Sequence, residues 1–170
     1  MAAILVGLQL NIPILDIISG IQNFELTKNR MEIHHTKNNV TIINDTYNAS
    51  YDSMKAGLEY LGKHGDQRKI AVLGDMLALG DFSKKLHEDV STEVVKNDID
   101  ILITVGKEAN YIYKKALELG FDTNNAFWFD NNLSAITKIK GILKPNDVVF
   151  LKASHGMNFI EIVNNIKEDF

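Results

Sequence analysis

Asp45, Tyr47 and Asn48 stand in the run Ile43-Asn44-Asp45-Thr46-Tyr47-Asn48-Ala49-Ser50-Tyr51-Asp52-Ser53-Met54, where an apolar stretch stops abruptly in hydrogen-bonding residues and continues as a helical pattern. Ligands of open α/β sheets sit outside the carboxyl ends of strands, often near helix N-termini that favour anions. The three residues therefore mark a ligand-facing edge. Lys152, Ser154 and His155 bring a cation, a hydroxyl and an imidazole to a second strand–helix turn. That turn reads either as an anion site at a helix N-terminus or as a cap in which Ser154 satisfies backbone donors. Arg30 adds a guanidinium able to grip phosphate oxygens bidentately, although a lone surface arginine is ordinarily only solvated.

The remaining polar positions are less suggestive. Neither a GxxxxGK[ST] phosphate loop nor a GxGxxG fingerprint occurs in the sequence. In Leu73-Gly74-Asp75-Met76-Leu77-Ala78-Leu79-Gly80, Gly74 is expected to permit a tight turn after a strand, and Gly80 to end the loop. Asp75 either holds a ligand or bonds a neighbouring backbone. His87 lies beside the apolar face of its helix, where a histidine usually packs. The adjacent His34 and His35 would point to opposite faces of a strand and so cannot share a metal. With no cysteine in the chain, no zinc constellation remains. No Ser-His-Asp arrangement and no carboxylate pair stands out. The residues by themselves support a soluble α/β domain with a polar ligand edge.

These groups need elements to position them. From residue 40 onward, apolar runs at 40–43, 70–73, 101–105, 126–129 and 148–151 read as strands. Between and after them lie helical spacings: Met54, Leu58, Leu61; Leu86, Val90, Val94; Ala109, Ile112, Ala116, Leu119; Leu133, Ile136, Leu143; and Phe159, Val163, Ile166. Such alternation predicts βαβ units around a mainly parallel sheet, hence a Rossmann-like three-layer α/β sandwich. If the strands are parallel, Asn44-Asp45, Gly74-Asp75, Gly106 and the run 152–156 share one edge. Upstream, residues 31–35 suggest a further strand and 23–30 a polar connector. The opening Met1–Leu8 reads as a helix, and Pro13 starts a second with Leu15, Ile18 and Ile21 on one side.

Composition narrows the class. Hydrophobic residues make up 45% and charged residues 24%, which suits a folded globular domain rather than a disordered chain. A net charge of -4 gives no electrostatic case for nucleic acid or an anionic membrane surface. Residues 2–8 lack a basic flank, and Gln9, Asn11 and Asp16 interrupt the run before it could span a bilayer, so no membrane insertion is expected. The absence of cysteine is compatible with a cytoplasmic location.

The runs 43–49 and 52–56, Ala71-Val72-Leu73-Gly74-Asp75-Met76 with Leu79-Gly80 and Leu86-His87, Leu102-Ile103-Thr104-Val105-Gly106, and 148–157 occur in an informative order and spacing. In combination they resemble the C-terminal domain of the Mur ligases. Residues up to Arg30-Met31-Glu32 resemble the end of that family's central ATPase domain, so the likeness covers essentially the whole chain. Within the family, the Asn-Asp-Thr-Tyr-Asn-Ala run is most similar to the member that adds D-alanyl-D-alanine to UDP-N-acetylmuramoyl-tripeptide in peptidoglycan synthesis. The resemblance implies residues 1–27 as a remnant of the ATPase domain and 28–170 as the C-terminal domain.

It further implies an ATP-dependent amide ligase. In that family ATP phosphorylates the substrate carboxylate, Mg2+ neutralises the phosphates, and the dipeptide amine attacks the acyl phosphate. By resemblance, Arg30 would reach the ATP phosphates on domain closure, Asp45 would contact the ribose, and Tyr47 and Asn48 would line the nucleotide side of the cleft. Lys152, Ser154 and His155 would lie near the incoming dipeptide.

Four positions depart from the family pattern: Asn29 replaces the glycine before the arginine, Tyr51 a proline at the helix start, and Ala153 and His155 a glycine and an arginine in Lys-Gly-Ser-Arg-Gly. The family's phosphate loop, magnesium ligands and UDP-sugar domain would lie upstream. These 170 residues are thus expected to fold without binding ATP tightly or ligating anything alone. Alternatives are another Mur ligase, a folylpolyglutamate synthase-like ligase, or a non-enzymatic α/β interaction module.

Overall fold

The computed structural model describes residues 2–24 and 27–169. Met1, at the expected start of the first helix, and residues 25–26 of the expected connector lie outside that range. Two helices, α1 (Ala2–Gln9) and α2 (Ile14–Gln22), come first. Pro13 sits at the N-cap of α2 with an extended ψ of 137°. The side of α2 that packs is Ile17, whose Cδ1 lies only 2.8 Å from where a Cβ on Gly7 would stand. Leu15, Ile18 and Ile21, the expected apolar face, are exposed.

The sheet contains β1 (Glu32–His35), β2 (Thr41–Asn44), β3 (Lys69–Gly74), β4 (Ile101–Val105), β5 (Ala126–Phe129) and β6 (Val148–Lys152). Their spatial order is β1-β2-β6-β3-β4-β5. Strand β1 is antiparallel to β2, and every other pairing is parallel. The last strand in sequence thus lies in the middle of the sheet. Five further α-helices follow among the described residues: α3 (Tyr51–Gly62), α4 (Ser83–Lys96), α5 (Ala109–Glu118), α6 (Asn132–Ile142) and α7 (Ile160–Asp169).

Alternating strand residues feed two cores. Ile70, Val72, Val149 and Leu151 face α6 and α7, whereas Ala71, Leu73, Val148 and Phe150 face α3, α4 and α5. Burial on both faces explains why β3, β4 and β6 are apolar along nearly their whole length, since a parallel sheet covered on each side has no solvent face to mark with polar residues. On the helices that cover the sheet, two expected positions fail to pack. Leu133 is exposed and α6 instead presents Ala135, Ile136 and Ile139, while Leu119 falls just beyond α5 and is half exposed. Tyr51 opens α3 without the preset φ of proline. There, Ser50 and Ser53 form a reciprocal capping box, Ser50 N–H donating to Ser53 Oγ at 2.9 Å.

Gly74 is the final residue of β3 and does not make a turn. A Cβ there would stand 2.5 Å from Phe159 Cζ and 2.7 Å from Ala153 Cβ, so the glycine permits close packing. Gly80, at φ 54°, does need the left-handed region and leads into a short 3-10 turn. Asp75 bonds backbone: its Oδ1 accepts from Ala109 N–H at 2.7 Å, in the space left by the missing side chain of Gly106. His87 is fully buried and joins Met76 N–H, which donates to its Nε2 at 3.0 Å, to Ser83 O, 2.8 Å from its Nδ1. Both groups shape the loops at the carboxyl edge.

Two outcomes follow from this packing. Gly57, within α3, would direct a Cβ to 2.1 Å from Phe150 Cζ. Alanine would gain about 1 kcal/mol in helix propensity, but this contact with a fully buried ring outweighs that gain. Gly57→Ala is expected to destabilise the fold by about 2 kcal/mol in urea unfolding.

Burial pushes the Asp75 carboxyl above its ordinary value of 3.8, with the Ala109 N–H bond opposing the shift. The folded state then holds more protons than the unfolded state between 3.8 and the raised value. Stability relative to Asp75→Asn should therefore fall as pH rises through that window. A pH series of urea midpoints for the two proteins measures it, and a difference that rises with pH contradicts the assignment.

Candidate functional site

The parallel strands bring their carboxyl ends to one edge, and the antiparallel β1 delivers the residues preceding it to the same place. Asn44, buried at the end of β2, ties these segments together. Its Nδ2 donates to Asn29 Oδ1 at 3.0 Å and to Glu32 Oε2 at 3.1 Å, while its Oδ1 accepts from the Thr46 hydroxyl at 2.7 Å. Asp45 N–H then donates to Leu151 O at 3.0 Å, extending the β2–β6 ladder by one bond.

Asn29, Arg30 and Met31 are held from both ends by the β2–α3 loop. Tyr47 N–H donates to Asn29 O at 3.0 Å, and Met31 N–H donates to Asp45 Oδ1 at 3.2 Å. Asn29 has φ 61° and Met31 φ 49°. Asparagine tolerates the left-handed region, so it can occupy the position where the family pattern has glycine; methionine does so only under restraint. Between them, the exposed Arg30 projects its guanidinium over Tyr47, with Cζ 4.2 Å from the ring centroid, a cation–π contact. The His155 ring lies 6.1 Å from Tyr47 at an interplanar angle of 51°. Arg30, Tyr47 and His155 thus form an exposed row of cation, phenol and imidazole, with exposed Asn48 on the same loop.

Lys152 is only 2% exposed. Its ammonium donates to the Asp45 carboxylate at Oδ2, to Asn48 O at 2.9 Å and to Asp45 O at 3.5 Å. Burial pushes this ammonium below the ordinary lysine value, and the bond to Asp45 opposes the shift. Ser154 is also buried. Its Oγ accepts from Leu77 N–H at 2.9 Å and its own N–H donates to Asp75 O at 3.0 Å, joining β6 to the β3–α4 loop. Of the residues singled out by sequence, Arg30, Tyr47, Asn48 and His155 have exposed side chains at this edge. Asp45 is partly exposed, and Lys152 and Ser154 direct their polar atoms into the protein.

A groove of about 560 Å³ runs beside Asp45 and is lined in part by Arg30, Met31, Asn48, Ser53 and Tyr60, with the largely buried Lys152 at its wall. The joining roles of Asn44 and Met31 have no local signature in the sequence, their partners lying fifteen and fourteen positions away. Asn44 is legible there only as a polar strand end. Among the described residues, no group of three or more His, Cys, Asp or Glu side chains could hold a metal ion. None of the helices searched among those residues is long and apolar enough to cross a membrane.

The sequence matches the family described as "Mur ligase, glutamate ligase domain" over residues 29–155. It is 33% identical to the UDP-N-acetylmuramoyl-tripeptide–D-alanyl-D-alanine ligase of Bacillus subtilis across 99% of this chain and 37% of that protein. The ligase of the same name from Mycobacterium leprae is also 33% identical, across 78% of this chain and 28% of that protein. Among solved structures, MurF from Acinetobacter baumannii superposes with a TM-score of 0.82 at 23% identity, covering 96% of this chain and 35% of that one. MurF ligase from Thermotoga maritima in complex with ADP gives 0.74 at 23% identity, covering 98% and 36%. These two structures share the α/β fold. The chain spans about a third of the length of the curated relatives it matches. The match over residues 29–155, most of the chain, means that it belongs to the Mur ligase family, in the part described as the glutamate ligase domain.

Proposed function

We propose that this chain acts as the C-terminal domain of an ATP-dependent ligase that joins D-alanyl-D-alanine to UDP-N-acetylmuramoyl-tripeptide. The observation that carries this reading is the convergence of the Arg30 guanidinium, the Asp45 carboxylate and the Tyr47 ring at one sheet edge, in a chain that aligns over 99% of its own length with 37% of a ligase of that name. In the reaction, the γ-phosphoryl group of ATP passes to the tripeptide carboxylate, giving ADP and an acyl phosphate. The amine of D-alanyl-D-alanine attacks the acyl carbon, loses its proton and displaces inorganic phosphate as the amide bond forms.

Arg30 suits the phosphates because a planar, permanently charged fork meets phosphate oxygens bidentately, and its stacking on Tyr47 keeps it extended from the edge. Asp45 offers a carboxylate to ribose hydroxyls. Tyr47 and Asn48 complete the nucleotide side, and His155, with Lys152 and Ser154 behind it, borders the acceptor side. In this reading magnesium would be held by the ATP phosphates and the central ATPase domain of the ligase. The apolar surface of α1 and α2, with Leu5, Leu8, Leu15 and Ile21 exposed, supports reading residues 1–27 as the end of a neighbouring ATPase domain and 28–170 as the domain that closes over the nucleotide. A cytoplasmic location fits those substrates.

The test joins this chain to the matching first part of the Bacillus subtilis relative and follows ADP release and amide product by mass spectrometry. ATP-dependent coupling of D-alanyl-D-alanine is expected, and a fusion that folds but couples another amino acid or nothing overturns the reading. The 170 residues alone should release no ADP. In an active fusion, Arg30→Ala should lower kcat/KM for ATP about 100-fold, the loss of a charge-assisted bidentate contact worth roughly 2–3 kcal/mol. An Arg30→Ala fusion with unchanged ATP kinetics removes Arg30 from the nucleotide site.

A further inference from the structure

We infer that Lys152 is a positioning residue for the nucleotide-facing groups, acting directly on Asp45 and, through Met31, on Arg30, and that it does not bind the acceptor dipeptide. The inference rests on the ligase reading for its kinetic consequences and on contacts within the chain for its structural ones.

A lysine ammonium has three N–H donors and no acceptor. Those of Lys152 have three acceptors inside the protein: Asp45 Oδ2, Asn48 O and Asp45 O. With the residue 2% exposed, no donor is left over for a substrate carboxylate. The contacts continue outward. Asp45 presents Oδ2 to Lys152 and Oδ1 to Met31 N–H, so the ammonium fixes the carboxylate and the carboxylate fixes the backbone on one side of Arg30. On the other side, Asn29 O accepts from Tyr47 N–H in the same loop.

Restraint is needed there. Met31 at φ 49° occupies a region that a non-glycine residue adopts only when its surroundings impose it. The bond to Asp45 is one such imposition, and Lys152 holds Asp45 in place to make it. Without the ammonium, the Asp45 carboxylate, 13% exposed, would be freed to turn toward water and release Met31. The residues bordering the acceptor side would stay put, because Ser154 is anchored separately by Leu77 N–H and Asp75 O. Lys152 therefore orders two nucleotide-facing groups in advance, which lowers the ordering cost of binding.

Hydrogen exchange on the 170-residue chain tests the structural link without reference to activity. In Lys152→Met, the Met31 and Tyr47 amides should exchange about tenfold faster relative to Leu102, whose N–H bonds Asn125 O in a distant part of the sheet. The double variant Asp45→Asn/Lys152→Met leaves no unpaired buried charge, and it should show the same local acceleration if the single variant does not fold. Equal change at all three amides overturns the inference.

In the active fusion, Lys152→Met should raise the KM for ATP about tenfold while the KM for D-alanyl-D-alanine stays within about twofold. Lys152→Arg, which keeps the charge, should recover most of the ATP effect. A rise confined to the dipeptide KM overturns the inference and returns Lys152 to the acceptor site. A fusion that is inactive even with the unaltered chain counts against the ligase reading alone, since the exchange result stands apart from it.

Discussion

Threading β6 between β2 and β3 is the constraint on which the carboxyl edge depends. That strand is the last of the chain, yet it occupies the middle of the sheet and ends in Lys152 directly beneath the β2–α3 loop. Removing an ammonium from water costs several kcal/mol unless its donors are met. Here a carboxylate and two carbonyls meet them, all from residues 45–48. The cost of burying the charge is thus offset only when the loop closes over it. Loop geometry and strand order are coupled through one side chain.

From that point the edge is assembled by bonds that cross between elements rather than within them. Asn44 joins β1 to the β2–α3 loop, Asp45 holds Met31, and Ser154 and His87 hold the β3–α4 loop from two sides. The exposed groups that remain, Arg30, Tyr47, Asn48 and His155, stand on backbone that is already fixed. An aromatic ring between a guanidinium and an imidazole presents cationic and hydrogen-bonding groups on a rigid base, and such preordering favours recognition of a phosphorylated ligand over a loose surface cluster.

Much of the architecture was legible in advance. The strands at 101–105 and 126–129 have the expected bounds, and the other parallel strands differ from expectation by one residue at one or both ends, because a run of β-branched and aliphatic residues between helical spacings has few other meanings. The helix faces were less secure. Leu15, Ile18 and Ile21 have helical spacing but are exposed, and Leu133 likewise, because spacing gives a face and not its neighbour. Gly74 illustrates the same limit: a glycine at a strand end suggests a turn, whereas the ring of Phe159, far along the chain, explains it.

The alternation of strands and helices, the polar character of the strand ends and the family to which those runs belong can all be read from contiguous residues, because each is a property of a local run. Which polar residues face solvent and which face each other depends on how distant strands come together. Lys152 and His155 are three positions apart in one motif, yet one is buried against Asp45 and the other lies open beside Tyr47. The difference arises from the insertion of β6 between two strands more than seventy residues away in sequence, and no local pattern encodes which acceptors that insertion will bring to an ammonium.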